Sequence, residues 1–251
     1  MINAVYQLTA PRLLEVTYKE MPLDKNSVII RPLKLSICHA DQRYYQGTRD
    51  AKVLKEKLPM ALIHEGVGEV VYDKSGTFEV GDRVVAMDIT PCGEFEYCKS
   101  GRPQLCDMCF AEAPGVGGVD GGYAEYSKVR NDFIRKLPDN ISLKHAAMIE
   151  PVCISYHGVN MGNVNENSNV LVTGGGAIGL FAAAAAKAKG AKYVALTEAN
   201  PGRIKIAEEA DFVDEVFDAA DPEISEKVKA KVPEGFDISV ECSGHPAAAN
   251  L

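Results

Sequence analysis

The sequence predicts two unlike halves: an antiparallel β domain, then a doubly wound parallel α/β sheet. Three observations carry this reading. Up to about Lys136 the chain is a series of short β-type runs separated by turn residues. From Asn169 onward strand-like and helix-like segments alternate. Where that alternation begins, the sequence reads NVLVTGGGAIGL. Val170, Leu171 and Val172 are an apolar run suited to a strand buried on both faces. Gly174, Gly176 and Gly179 follow in the spacing G-x-G-x-x-G, and an apolar helix starts near Ala177 and Ile178. Between a strand and a helix this spacing is a dinucleotide fingerprint, because bare backbone and a helix N-terminus present N–H groups to a pyrophosphate. A second strand closes on Glu198, where an acid can hold a ribose hydroxyl.

Each element has its own signal. In the first half, strands are expected at Ser27–Leu35, Gly66–Tyr72, Arg83–Met87 and Tyr123–Val129, with DKSG and VGD as turns. Ser142 is placed to cap a helix through His145 and Ala147, and Pro151 opens a second apolar segment to about Val159. The second half then reads helix 177–189, strand 193–197, helix 202–210, strand 213–217, helix 222–231 and strand 236–241. The boundary between the domains, 1–150 and 151–251, falls at this change of style. Four strands are fewer than a full dinucleotide fold holds, so the second sheet is expected to be truncated.

Composition narrows the function classes. The chain has 251 residues, 46% apolar and 25% charged, the balance of a globular protein. No apolar run is long enough to span a bilayer, and the N-terminus lacks a signal-peptide pattern, so a cytoplasmic protein without membrane partners is expected. A net charge of −8 argues against nucleic acid as a partner. Seven cysteines, an odd number, fit metal binding better than a disulfide framework.

Cys38 lies in SICHADQRYY, His64 and Glu65 in LIHEGVGEV, and Glu150 in MIEPVCISYHG. One thiolate, one imidazole and two carboxylates are a sensible donor set for Zn²⁺, whose catalytic sites use three protein ligands and an open position. Taken singly, each has an ordinary structural reading as well: a buried thiol, a hydrogen-bonded histidine, a solvated loop acid.

In order along the chain, Cys-His-Ala-Asp, His-Glu-Gly-x-Gly-x-Val, Gly81-Asp82-Arg83-Val84, Glu150-Pro151 and GGGAIG resemble the zinc-dependent medium-chain alcohol and polyol dehydrogenases. The resemblance covers essentially the whole chain. It implies a GroES-like β-barrel catalytic domain followed by a Rossmann domain, with the active site in the cleft between them. It further implies catalytic zinc on Cys38, His64 and either Glu65 or Glu150. Asp41 would hydrogen-bond the far nitrogen of His64, and His39 would meet the cofactor pyrophosphate. A homo-oligomer is expected on the same ground.

The family's structural-zinc lobe is matched at Cys92, Cys98 and Cys106, while Phe95 stands where its second cysteine would be. Cys109 could supply the missing thiolate. The alternative is a lobe of reduced thiols without metal. A second departure is Ala40, where most of the family has Ser or Thr to relay the alcohol proton. Mainly over residues 1–72 and 150–157, the chain resembles the ribulose-5-phosphate reductase subgroup, which shares that alanine, the QRYY run and the Gly-x-Arg-Asp after it. This implies a polyol or ketose substrate, with ribitol 5-phosphate and ribulose 5-phosphate as the phosphorylated pair. Independently, Arg43 and Arg49 flank Tyr44, and arginine forks suit phosphate oxygens. Both arginines could instead be solvated or paired with Asp41, Asp50 or Glu56. For the cofactor, Glu198 would repel a 2′-phosphate, so NAD(H) is expected over NADP(H), even though Arg203 lies five residues on and the subgroup implies NADPH.

Overall fold

The structure, a computed structural model, describes residues 1–250 except Asn26, Glu112 and Gly118. It divides into two compact units, Met1–Glu150 and Pro151–Leu251. In chain order the first contains β1 (Ile2–Ala10), β2 (Leu13–Glu20), β3 (Ser27–Leu35), α1 (His39–Gln46), α2 (Ala51–Lys57), β4 (Met60–Ala61), β5 (Gly66–Asp73), β6 (Arg83–Ala86), α3 (Glu96–Lys99), β7 (Ser127–Arg130), β8 (Ile134–Lys136) and α4 (Leu143–Ala146). Helix α5 (Ile149–Met161) starts at its end. The second unit continues with β9 (Asn169–Thr173), α6 (Ala177–Ala188), β10 (Tyr193–Glu198), α7 (Pro201–Glu208), β11 (Glu215–Asp218), α8 (Ile224–Lys231) and β12 (Ile238–Glu241).

The first unit holds an antiparallel five-stranded sheet, β7-β3-β5-β6-β8, and a three-stranded sheet, β2-β1-β4. Val28, Ile30, Val70, Val84 and Ile134 fill the core of the larger sheet. Leu8, Tyr44, Met60, Leu62 and Ile63 form a second core, which fastens α1 to the smaller sheet. The expected strand at Tyr123–Val129 is shorter in the structure and begins at Ser127. The amides of Gly121, Gly122 and Tyr123 are already taken by the carbonyls of Ala61, Ile63 and Leu62, so this stretch braces the 61–63 segment instead. Ser142 caps α4 by accepting from the amide of His145 at 3.2 Å.

In the second unit all four strands are parallel, in the order β11-β10-β9-β12. By sequence this is third, second, first, fourth, the doubly wound pattern whose reversal lies beside the first strand. Val170, Val172, Val194 and Leu196 meet the alanine face of α6, including Ala182, Ala183 and Ala186. Methyl side chains let that helix lie close on the sheet. Asn200 caps α7 by accepting from the amides of Gly202 and Arg203, with Pro201 at the first helical position. Among the described residues no helix is long and apolar enough to cross a membrane.

Candidate functional site

Cys38 ends the loop after β3 and caps α1: its sulfur accepts from the amide of Ala40 at 3.4 Å. The Asp41 carboxylate reaches back to the Cys38 amide at 2.9 Å, completing a capping box. His64 and Glu65 lie between β4 and β5. One donor atom each from Cys38, His64 and Glu65 falls within 4.8 Å of the others, so two segments far apart in sequence converge on one point. Glu65 is buried, and it accepts a hydrogen bond from the Ser36 hydroxyl. Ser36 was invisible as a site residue in the sequence, because nothing local links it to Glu65.

The surroundings are acidic. Burial pushes the Cys38 thiol up to about 11, opposed by the Ala40 amide and reinforced by the charges of Glu65 and Asp41. Glu150 is pushed up to about 8 by burial, by a hydrogen bond and charge repulsion from Asp88, and by Glu65 and Asp41. Asp88, just past β6, is a second residue that sequence reasoning missed. Glu150 thus lies beside the donor group without belonging to it, and Glu65 supplies the carboxylate within it. A thiol, an imidazole and several carboxyls gathered with no lysine or arginine among them fit a bound dication, which would reverse the cost of ionising them. The residues therefore fit zinc by donor chemistry and by charge.

One expectation is corrected. Asp41 Oδ1 lies 4.0 Å from His64 Nδ1, beyond hydrogen-bond range, and that buried nitrogen has no hydrogen-bond partner among the described residues. The reason is that both Asp41 oxygens are committed to backbone, one to Cys38 and the other to the amide of Ile63 at 3.1 Å. His39 is exposed at the first turn of α1.

In the second cysteine group, Cys92, Cys98 and Cys106 offer sulfurs within 4.8 Å of one another. The Cys92–Cys106 and Cys92–Cys98 sulfur separations are 3.5 Å and 3.9 Å. The amide of Glu94 donates to Cys92 at 3.3 Å and, with that of Phe95, draws its thiol below the ordinary value. Cys109 is buried but lies outside the group, contrary to its expected part as the fourth thiolate. Its main chain is held by Thr90 and Cys106 instead.

Arg43 is exposed, whereas Arg49 is partly buried and its guanidinium lies 4.9 Å over the Tyr44 ring. Gly47 ends α1 in the left-handed region, φ 73, and so turns the chain back toward that ring. Tyr44 is a core residue and serves as the platform for Arg49. The Arg49 Nε is buried without a hydrogen-bond partner among the described residues. Among the described residues Arg49 makes no ion pair with Asp41, Asp50 or Glu56; Asp50 caps α2 and Glu56 faces Lys52.

The glycine loop takes the conformation its residues require. Gly174 has φ 98, and a Cβ on Gly179 would lie 1.8 Å from the Gly174 carbonyl oxygen. Gly176 faces open space, where backbone is free to approach a ligand. Gly174, Gly176, Glu198, Arg203, Cys242 and His245 line a cavity of about 600 Å³ at the loop. Ala177 and Ile178 open α6, whose N-terminus follows Gly176. Glu198 ends β10 as expected, and its carboxylate accepts from the amides of Gly175, Ala199 and Asn200 at 2.8–2.9 Å. Arg203 approaches it to 3.9 Å and is 59% exposed.

Comparison with known proteins places both units. The alcohol dehydrogenase GroES-like domain matches residues 24–139, and the zinc-binding dehydrogenase domain matches residues 177–251. A sorbitol dehydrogenase of Bacillus subtilis is 33% identical over 93% of this chain and 67% of its own length. The chain belongs to the zinc-binding alcohol and polyol dehydrogenase family. Ribulose-5-phosphate reductase 2 of Staphylococcus aureus is 45% identical over 159 residues, covering 63% of this chain. The chain spans 45% of that relative's length in the match. The crystal structure of S. aureus TarJ in complex with NADPH superposes with a TM-score of 0.74 at 32% identity, covering 100% of this chain and 67% of that one.

Proposed function

We propose that this chain carries the metal and cofactor sites of a polyol or polyol-phosphate dehydrogenase, which interconverts a secondary alcohol and a ketone with a nicotinamide cofactor. The convergence of Cys38, His64 and Glu65 in an acidic pocket is the observation that carries the reading. These three residues would hold zinc, which when bound supplies a Lewis acid toward the substrate oxygen. The nicotinamide supplies hydride chemistry. The loop at Gly174, Gly176 and Gly179 and the first turn of α6 orient the dinucleotide through backbone N–H groups. Ala40 has no group to pass a proton; the exposed imidazole of the neighbouring His39 takes that task.

The phosphorylated substrate is favoured over the free polyol by Arg49, a cation mounted on Tyr44 whose Nε has no hydrogen-bond partner among the described residues. The likeness to a ribulose-5-phosphate reductase supports the same choice. For the cofactor, the ionised Glu198 at the end of β10 favours NAD(H) over NADP(H), and the nearby Arg203 narrows the margin. The Cys92, Cys98 and Cys106 group would hold a second zinc. The reading is tested by following NADH and NADPH oxidation by the full-length protein with ribulose 5-phosphate, ribulose and fructose side by side. Preferential turnover of the phosphorylated ketose supports it; turnover of none of the three contradicts it.

A further inference from the structure

Ile63 has φ 76, in the left-handed region that a β-branched side chain rarely enters. It directly precedes His64, and strained backbone persists only where its surroundings over-determine it. Here they do. The Ile63 amide donates to Asp41 Oδ1 at 3.1 Å in a buried setting, and its carbonyl accepts from the Gly122 amide at 2.7 Å. A Cβ on Gly115 or Gly121 would lie 2.7 Å or 2.3 Å from that carbonyl oxygen, so bare glycine backbone walls in the peptide. The Ile63 side chain is buried with Leu8, Tyr44, Met60 and Leu62. Glycine at this position would suit the backbone better but would give up that anchor.

The other Asp41 oxygen accepts from the Cys38 amide at 2.9 Å, and the residue is only 3% exposed. We infer that Asp41 acts as a backbone clasp: one carboxylate joins the Cys38 and Ile63 amides and holds Ile63 left-handed, fixing the separation and aim of the Cys38 and His64 side chains. Asp41 is a positioning residue that works through two peptide groups, at a distance from the imidazole too long for a hydrogen bond. A carboxyl side chain suits this task, because its two oxygens accept the two N–H bonds at once. The inference rests on the proposed zinc site for its consequence, though the clasp itself is a property of the protein alone.

The test compares full-length wild type, Asp41→Asn, Ile63→Gly and the double variant, by amide hydrogen exchange at residues 38 and 63 and by zinc affinity in chelator competition. An asparagine side chain has one carbonyl oxygen and so keeps at most one arm of the clasp. Asp41→Asn is expected to speed exchange at one or both amides about tenfold and to weaken zinc binding about 10- to 100-fold. With Ile63→Gly the left-handed turn needs less support, so the Asp41→Asn cost in zinc affinity should fall to about threefold or less. Equal cost on both backgrounds, or unchanged exchange at both amides, overturns the clasp. Failure of the zinc reading shows separately, as wild-type zinc content that Cys38→Ser does not lower, and the exchange data then decide the clasp alone.

Discussion

The carboxylate of Glu198 accepts a hydrogen bond from the amide of Gly175 at 2.8 Å, so the acid at the end of β10 is fastened to the glycine loop after β9. Its other oxygen holds the amides of Ala199 and Asn200. One side chain thereby organises both loops at the mouth of the cavity beside the glycine loop. Burial opposes its ionisation, but three backbone N–H groups and Arg203 outweigh burial and hold the carboxyl below the usual glutamate range.

This has a pH signature. The folded value is the lower one, so the stabilisation is complete above the unfolded glutamate pKa and is lost as pH falls through the folded value. Glu198→Gln should destabilise the protein by about 1–3 kcal/mol at neutral pH, the worth of charge-assisted hydrogen bonds. Urea unfolding at pH 7 and at about pH 3.5 checks the direction, with the difference between wild type and variant shrinking in acid. A difference independent of pH would contradict it.

Cofactor choice follows from the same carboxylate and its neighbour. NADH should be used with the higher kcat/KM, and Arg203→Ala should widen the preference by removing the nearby cation. Glu198→Gln should narrow it, by about tenfold for each 1.4 kcal/mol of repulsion removed. Steady-state kinetics with both cofactors measures this, and better efficiency with NADPH in the wild type reverses the choice.

Arg49 offers a sharper split. Arg49→Ala should raise KM for ribulose 5-phosphate about 10- to 100-fold and leave kcat and KM for unphosphorylated ribulose within about twofold. Equal losses on both substrates would mean that the stacking of Arg49 on Tyr44 serves structure alone.

For the cysteine lobe, metal analysis should find two zinc ions per chain in the wild type, falling to one with Cys92→Ser. The three clustered sulfurs would hold the ion, and Cys109→Ser should leave the count at two, because Cys109 stands outside the cluster. A single zinc that disappears with Cys38→Ser would show the lobe to be empty.

What was legible in the sequence was what local rules encode. The fingerprint glycines, the Ser142 cap and the β3 and β9 runs each announce themselves through steric or hydrogen-bonding needs that neighbouring residues reveal. Helix α1 was not legible, since its cap is a cysteine and its residues are mostly polar. The pairing of β1 with β2 was also hidden: β1 buries Asn3 and Gln7, which are satisfied by Tyr126 and Asp120 more than a hundred residues away. Cys38, His64 and Glu65 were legible as a donor set. The approach of Asp88 to Glu150 and the left-handed turn at Ile63 were not, because both arise from tertiary contacts.

The most direct test of the zinc-dependent reading is the rate of NAD(P)H oxidation by ribulose 5-phosphate as a function of zinc occupancy. Chelator-stripped full-length protein is titrated with zinc, and Cys38→Ser and His64→Ala serve as controls. Activity should rise in proportion to the first equivalent bound by Cys38, His64 and Glu65, and both variants should lose at least about a thousandfold in kcat/KM at any zinc level. Stripped wild type, or Cys38→Ser without zinc at this site, turning over at the full rate would contradict the account.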